Sequence, residues 1–171
     1  MPRQSKEKAE ATRLSILDAA ELVFDAKGVS GATLEGIAAA AGLTRGAIYW
    51  HFDDKQSLLK ALLKRRIAPL IEQFKDGLRA SSQPDVAALV LQTDSVLRQL
   101  LSDPASLRVC RIMLLKCEYL SDAHPVKHEQ ERLFIAITSA LESYFKRLKL
   151  RQGKEWPDVS PAIAAKSYQC Y

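Results

Sequence analysis

The chain has 171 residues, 47% of them hydrophobic and 26% charged, with a formal net charge of +5 and only seven glycines and seven prolines. That is the composition of an ordinary soluble globular protein with room for one substantial core, or for a small module plus a larger one. Three cysteines argue against a secreted disulfide scaffold, no apolar N-terminal core marks a signal peptide, and no run approaches the ~18 apolar residues of a membrane span, so the expected compartment is the cytoplasm.

Stretches rich in Ala, Leu, Glu, Lys and Arg favour an all-α fold. Residues 1–12 carry charge without an apolar stripe and read as a flexible basic arm, with Arg3, Lys6 and Lys8. From Arg13, the spacing of Ile16, Leu17, Ala20 and Phe24 predicts an amphipathic helix that closes at Lys27-Gly28. Thr33 is placed to cap a second helix whose Ile37, Ala38 and Ala41 make a narrow apolar stripe. Gly42 then supplies the positive φ of a sharp helix-to-helix turn. Thr44 caps a third helix, with Ile48 and Phe52 returning to the core at i and i+4.

Asp53 followed by Gln56 has the spacing of a capping box, opening a fourth helix with Leu58, Leu59, Leu62 and Leu63 inward. Pro69 should end or kink that helix near Ala68. After a polar connection over residues 79–84, Pro84 suits the first turn of a helix over about 85–101. Ser102-Asp103-Pro104 starts an apolar helix to about Tyr119, and residues 121–125 break it. A long amphipathic helix follows to about Leu150. Gly153 and Pro157 then mark a loop, and Ser160-Pro161 opens a last helix. That helix runs only about ten residues to Tyr171, so the sequence reads as cut short at its C-terminus.

The segment from Thr33 to Phe52 carries the most chemistry. It reads as two short helices hinged at Gly42, with Arg45, Gly46, Tyr49, Trp50 and His51 left outward or at the rim. A helix–turn–helix of this build sets its second helix in the major groove of DNA. Residues 1–66 hold eleven Lys and Arg against eight Asp and Glu, so the cationic excess is denser there. A basic balance near such a motif suits a polyanion, although a charge of +5 is common among proteins that bind none.

Ile16-Leu17-Asp18-Ala19-Ala20, Phe24, Gly28, Thr33-Leu34, Ile37-Ala38, Ala41-Gly42-Leu43, Gly46, Ile48-Tyr49, His51-Phe52, Lys55 and Leu58-Leu59 together resemble the TetR family of bacterial repressors. The resemblance is dense over about residues 10–65. It implies a helix–turn–helix DNA-binding domain over 13–55, and a helical ligand-binding and dimerisation domain over 56–171. The run from Thr44 to Phe52, with a weaker match at Leu114-Leu115-Lys116-Cys117-Glu118-Tyr119, is similar to the AcrR group that represses multidrug efflux pumps. Family members pair through two C-terminal helices; here the first is only begun, which leaves the homodimer an open expectation.

Eight residues are the candidate DNA contacts. Arg45 opens the recognition helix, where its fork reaches guanine O6 and N7 or a phosphate, the plainer alternative being a solvated surface arginine. Gly46 lets the helix backbone approach the groove. The Tyr49 phenol suits a phosphate, and Trp50 sits at the rim or on the DNA backbone. His51 and Lys55 would clamp one strand, while Thr33 and Thr44 cap their helices and Thr33 also offers its hydroxyl to phosphate.

For a small hydrophobic or amphipathic inducer the candidate lining is Val109, Cys110, Met113, Leu114, Cys117, Phe134, Ile137, Thr138, Leu141 and Tyr144; a plain core explains these residues equally well. Through the family's mode of action, the ligand would shift the fourth helix near Pro69 and change the spacing of paired recognition helices on a palindromic operator. Cys110 and Cys117 stand two helical turns apart, too far for an intrahelical disulfide, and are either buried thiols or a sensor linking subunits. His124 and His128 lack a third ligand, so neither a metal nor a cofactor is expected. There is no phosphate loop, nucleophile elbow or acid–base constellation, hence no enzyme. The competing reading is a thiol-responsive or non-DNA-binding helical protein on a decayed scaffold of the same kind.

Overall fold

A computed structural model describes residues 2–116 and 125–170. Among the described residues all regular structure is helical, arranged in two compact units. Of the described residues, the first takes in 2–67, 103–116 and 125–127, the second 68–102 and 128–170.

In the first unit α1 spans Pro2–Gly31, α2 Leu34–Ala40, α3 Arg45–Tyr49, α4 Lys55–Arg66 and α7 Pro104–Leu115. The α1 stripe of Ile16, Leu17, Ala20 and Phe24 is buried as its spacing requires, against Ile37 and Ala38 of α2, Ile48 of α3, and Leu58, Leu59 and Leu62 of α4. Val109, Ile112 and Met113 of α7, at i, i+3 and i+4, complete this core. The helical path of α1 breaks at Gly28, whose φ of 72° suits a residue without Cβ, and Gly42 takes φ 69° at the α2–α3 turn. Over the stretch read as a flexible basic arm, residues 1–12, the backbone is helical from Pro2. Ser5-Lys-Glu-Lys-Ala-Glu-Ala is rich in helix formers, and a segment continuous with a packed helix does not carry the nucleation cost.

Charge ties α7 into this unit. Glu21 of α1 is only 2% exposed and accepts from Arg66 Nε at 2.8 Å, with Arg108 Nη1 at 3.6 Å from its other oxygen. One turn on, Asp25 receives Arg111 and Lys116, and the Val29 amide donates to the Lys116 carbonyl at 3.2 Å. The Arg111 hydrogen bond holds the Asp25 carboxyl below its ordinary range against the opposing effect of burial, with Lys116 adding to the depression.

Two element boundaries differ from expectation. The cap of α4 is Asp54, not Asp53: its carboxylate accepts the Ser57 amide at 2.6 Å, and the Ser57 hydroxyl lies 3.4 Å from the Asp54 amide, a complete reciprocal box. The helix expected to reach Tyr119 ends at Leu115, with Lys116 as C-cap; residues 117–124 lie outside the described residues.

In the second unit α5 spans Ala68–Ala80, α6 Val86–Ser102, α8 Pro125–Gln152 and α9 Pro161–Cys170. The break before Pro69 falls at Ile67, where the proline was expected to act. Helix α6 starts at Val86 with Asp85 as its side-chain cap, accepting the Ala88 amide at 2.6 Å, so Pro84 precedes the first turn. The core gathers Phe74, Leu78, Leu89, Leu141, Tyr144, Phe145 and Leu148. Phe145 meets Trp156 and Tyr168 at ring separations of 6.1 and 6.3 Å. The Tyr144 hydroxyl donates to the Asp85 carbonyl at 2.8 Å, and Arg147 and Arg151 donate to the Ser81 and Pro84 carbonyls at 2.7 and 2.9 Å. The connection between α5 and α6 is thereby fastened to α8.

Candidate nucleic-acid interface

The α2–α3 pair is held by its caps and its turn. Thr33 Oγ1 accepts the Gly36 amide at 3.0 Å and Thr44 Oγ1 the Ala47 amide at 3.3 Å, so both threonines cap where their spacing placed them. Gly42 and Leu43 donate to the Ala39 and Ala38 carbonyls at 3.0 and 2.8 Å, closing α2. Ile48 and Phe52 are buried, and Arg13 of α1 lies over the Phe52 ring at 5.3 Å. With those two residues turned in, Arg45, Gly46, Tyr49 and Trp50 are turned out.

Trp50 is 86% exposed, an indole that contributes almost nothing to this core. A Cβ built on Gly46 meets no atom within 4 Å, so the glycine leaves open space outside the helix rather than avoiding a clash within the unit. The recognition helix is short: α3 ends at Tyr49, and Trp50 and His51 continue as turn residues, with the His51 amide donating to the Ile48 carbonyl at 3.0 Å.

Arg45 and Tyr49 share a partner that sequence reasoning did not single out. Arg45 Nε lies 3.1 Å from Glu35 Oε1, the Tyr49 hydroxyl donates to the same oxygen at 3.0 Å, and the Arg45 guanidinium sits 5.7 Å from the Tyr49 ring centre. The Glu35 carboxyl is held below its ordinary range, chiefly by its own backbone amide and then by the Tyr49 hydroxyl. An acidic residue in the first turn of α2 reads from sequence as a solvated, dipole-favoured glutamate. Only the turn at Gly42 brings it to residues ten and fourteen positions away.

Lys55 is placed differently from the phosphate clamp expected of it. Its Nζ donates to the Val29 and Ser30 carbonyls at 2.8 and 3.1 Å, fastening the first turn of α4 to the end of α1.

The candidate ligand residues are divided between the two units. Val109 and Met113 are buried in the core of the first unit, Cys110 is half-buried with its thiol pKa raised by burial, and Leu114 is exposed. Leu141 and Tyr144 are buried in the second unit, beside partly buried Ile137 and Thr138, while Phe134 is exposed; Cys117 and His124 lie outside the described residues. A cleft of about 520 Å³ does open in the second unit between α5 and α8, lined by Lys75, Leu78, Arg79, Ala136, Ser139, Ala140, Ser143 and Arg147. None of the described candidates is among its lining residues.

Comparison with known proteins places this geometry among relatives. Residues 16–62 match the family described as "Bacterial regulatory proteins, tetR family". The chain is 36% identical over 161 residues to the HTH-type transcriptional regulator TtgR of Pseudomonas putida, an alignment covering 88% of this chain and 73% of that protein. Its fold is similar to that of NalD, described as the secondary repressor of the MexAB-OprM multidrug efflux pump in Pseudomonas aeruginosa, with a TM-score of 0.83 and 33% identity over 96% of this chain and 81% of that one. It is also similar to SmeT, the repressor of the Stenotrophomonas maltophilia multidrug efflux pump SmeDEF, in its complex with triclosan, with a TM-score of 0.76 and 32% identity over 91% of this chain and 74% of that one.

Proposed function

The chain belongs to the TetR family of bacterial transcriptional regulators, and from that premise we propose that it represses a multidrug efflux operon in the cytoplasm, binding a palindromic operator as a dimer and releasing it when a small hydrophobic or amphipathic inducer binds. The observation that carries the reading is the outward row of Arg45, Gly46, Tyr49 and Trp50 on a capped α2–α3 hairpin whose other face is packed. A fully solvated tryptophan beside an arginine has no use in this core, whereas a groove edge with flanking phosphates offers both a partner.

In this reading Arg45 reads a base edge, Tyr49, Trp50 and His51 meet the DNA backbone, and Thr33 and Thr44 orient their helices while Thr33 reaches a phosphate. Lys55 acts mainly by holding α1 and α4 together, its remaining hydrogen facing the strand. The efflux assignment draws on NalD and SmeT, and the inducer class on the triclosan complex of SmeT. The helix break at Ile67 supports a joint at which α5 conveys the ligand's effect to α4, and the ligand acts only through its different affinity for the bound and released states. Half-sites about 34–36 Å apart make operator binding sensitive to small changes at such a joint.

The test is binding to duplex DNA from immediately upstream of the protein's own gene, with and without triclosan as the probe. Retention without triclosan and release with it are expected. Equal affinity for that DNA and for a scrambled duplex would exclude the reading.

A further inference from the structure

The Glu35 carboxylate presents one anionic oxygen to both Arg45 and Tyr49, the kind of acceptor a nucleic-acid phosphate also offers. One oxygen accepts the Tyr49 hydroxyl at 3.0 Å and lies 3.1 Å from Arg45 Nε, on the face where both groups are otherwise solvated. The Arg45 side chain is 73% exposed and that of Glu35 44%, so the pair is not a buried structural bridge. The guanidinium stacked at 5.7 Å on the phenol makes the three side chains one assembly.

We propose that Glu35 is a specificity-determining residue, holding Arg45 and Tyr49 as an internal stand-in for phosphate so that DNA must displace its carboxylate to engage them. The inference rests on the reading that Arg45 and Tyr49 face DNA. On random duplex, exchanging one carboxylate for one phosphate gains little, and the released Glu35 charge then stands beside the polyanion. On the operator, a bidentate pairing of Arg45 with a guanine edge repays the exchange. Glu35 therefore lowers affinity for random DNA more than for the operator, which widens discrimination through an unfavourable contact with the wrong partner. Counterion release gives a second signature. While Arg45 is neutralised by Glu35, its engagement of a phosphate adds no net cation to the interface, whereas a liberated Arg45 adds one.

The experiment titrates random-sequence duplex and the gene's own upstream DNA against the full chain over a range of salt, for the parent, Glu35→Gln, Arg45→Ala and the double variant, the gain from Glu35→Gln being expected to be smaller on the upstream DNA. Glutamine keeps the length and a polar oxygen, and equal melting temperatures check the fold. Glu35→Gln is expected to bind random duplex roughly 3–10-fold tighter, with a salt slope steeper by about one. That gain should disappear in the Arg45→Ala background. An unchanged or weaker affinity for Glu35→Gln overturns the proposal, and so does an equal gain in both backgrounds, which would mean simple removal of a negative charge. Failure of the underlying reading is distinguishable: Arg45→Ala would then leave binding to the gene's own upstream DNA unaltered.

Discussion

Gly46 and Trp50 separate stability from binding more cleanly than any other pair in the interface. Open space surrounds the position of a Gly46 Cβ, so Gly46→Ala should stabilise the free protein by up to about 0.5–1 kcal/mol through helix propensity. In the proposed complex the same methyl would stand between α3 and the groove floor, so binding to upstream DNA should weaken by tenfold or more; calorimetric melting and a binding isotherm on one preparation check both signs. Trp50→Ala should leave stability within about 0.5 kcal/mol of the parent and still weaken DNA binding, because the indole is 86% exposed. Lys55→Ala should do the opposite, lowering stability by about 1–2 kcal/mol as two carbonyls at the end of α1 lose a charged donor, with a smaller effect on DNA. The roles of Thr33 and Thr44 as caps were legible, since a cap depends on its own residue and the amide three positions on. The Lys55 contacts and the Glu35 cluster were not, because their partners lie 25, 26, 10 and 14 residues away and local spacing carries no record of them.

At the scale of elements, the helices of the first unit were legible wherever an apolar stripe was strong, as in α1 and α4. Periodicity shows which face of a helix is apolar but not what covers it. Thus α7 was expected among the ligand-binding helices, yet Val109, Ile112 and Met113 are buried with α1 and α4. The capping box expected of Asp53 with Gln56 likewise falls one residue on, at Asp54 with Ser57, which only side-chain geometry reveals. The ionic contacts between α1 and α7 make a pH-dependent prediction. Asp25 has its pKa lowered in the folded state, so its contribution is fully present above the ordinary carboxylate range and is lost as pH falls through the depressed value. Asp25→Asn should cost about 1 kcal/mol at neutral pH, discounted for partial exposure, and the gap from the parent should close below about pH 4. Urea unfolding across pH measures it; a gap that widened on acidification would mean that the carboxylate is not what joins the two helices.

For the whole molecule, the family, the all-α class and the position of the α2–α3 hairpin followed from many spacings agreeing at once between about residues 10 and 65. The ligand site followed much less, because an inducer pocket and a core draw on the same apolar residues, and Val109 and Met113 lie in the core of one unit while Leu141 and Tyr144 lie in the core of the other. What the chain does as a regulator depends on reading sequence rather than only charge, and a net charge of +5 alone would support salt-sensitive binding to any duplex. The most direct measurement is therefore the ratio of affinities for the gene's own upstream DNA and for a scrambled duplex of equal length, at one fixed salt concentration, for the parent and Arg45→Ala. A ratio of at least about 10³ for the parent, reduced about 10–100-fold in Arg45→Ala mainly by weaker binding to the upstream DNA, is the predicted result. A ratio near one for the parent, or one that Arg45→Ala leaves intact, would contradict the account.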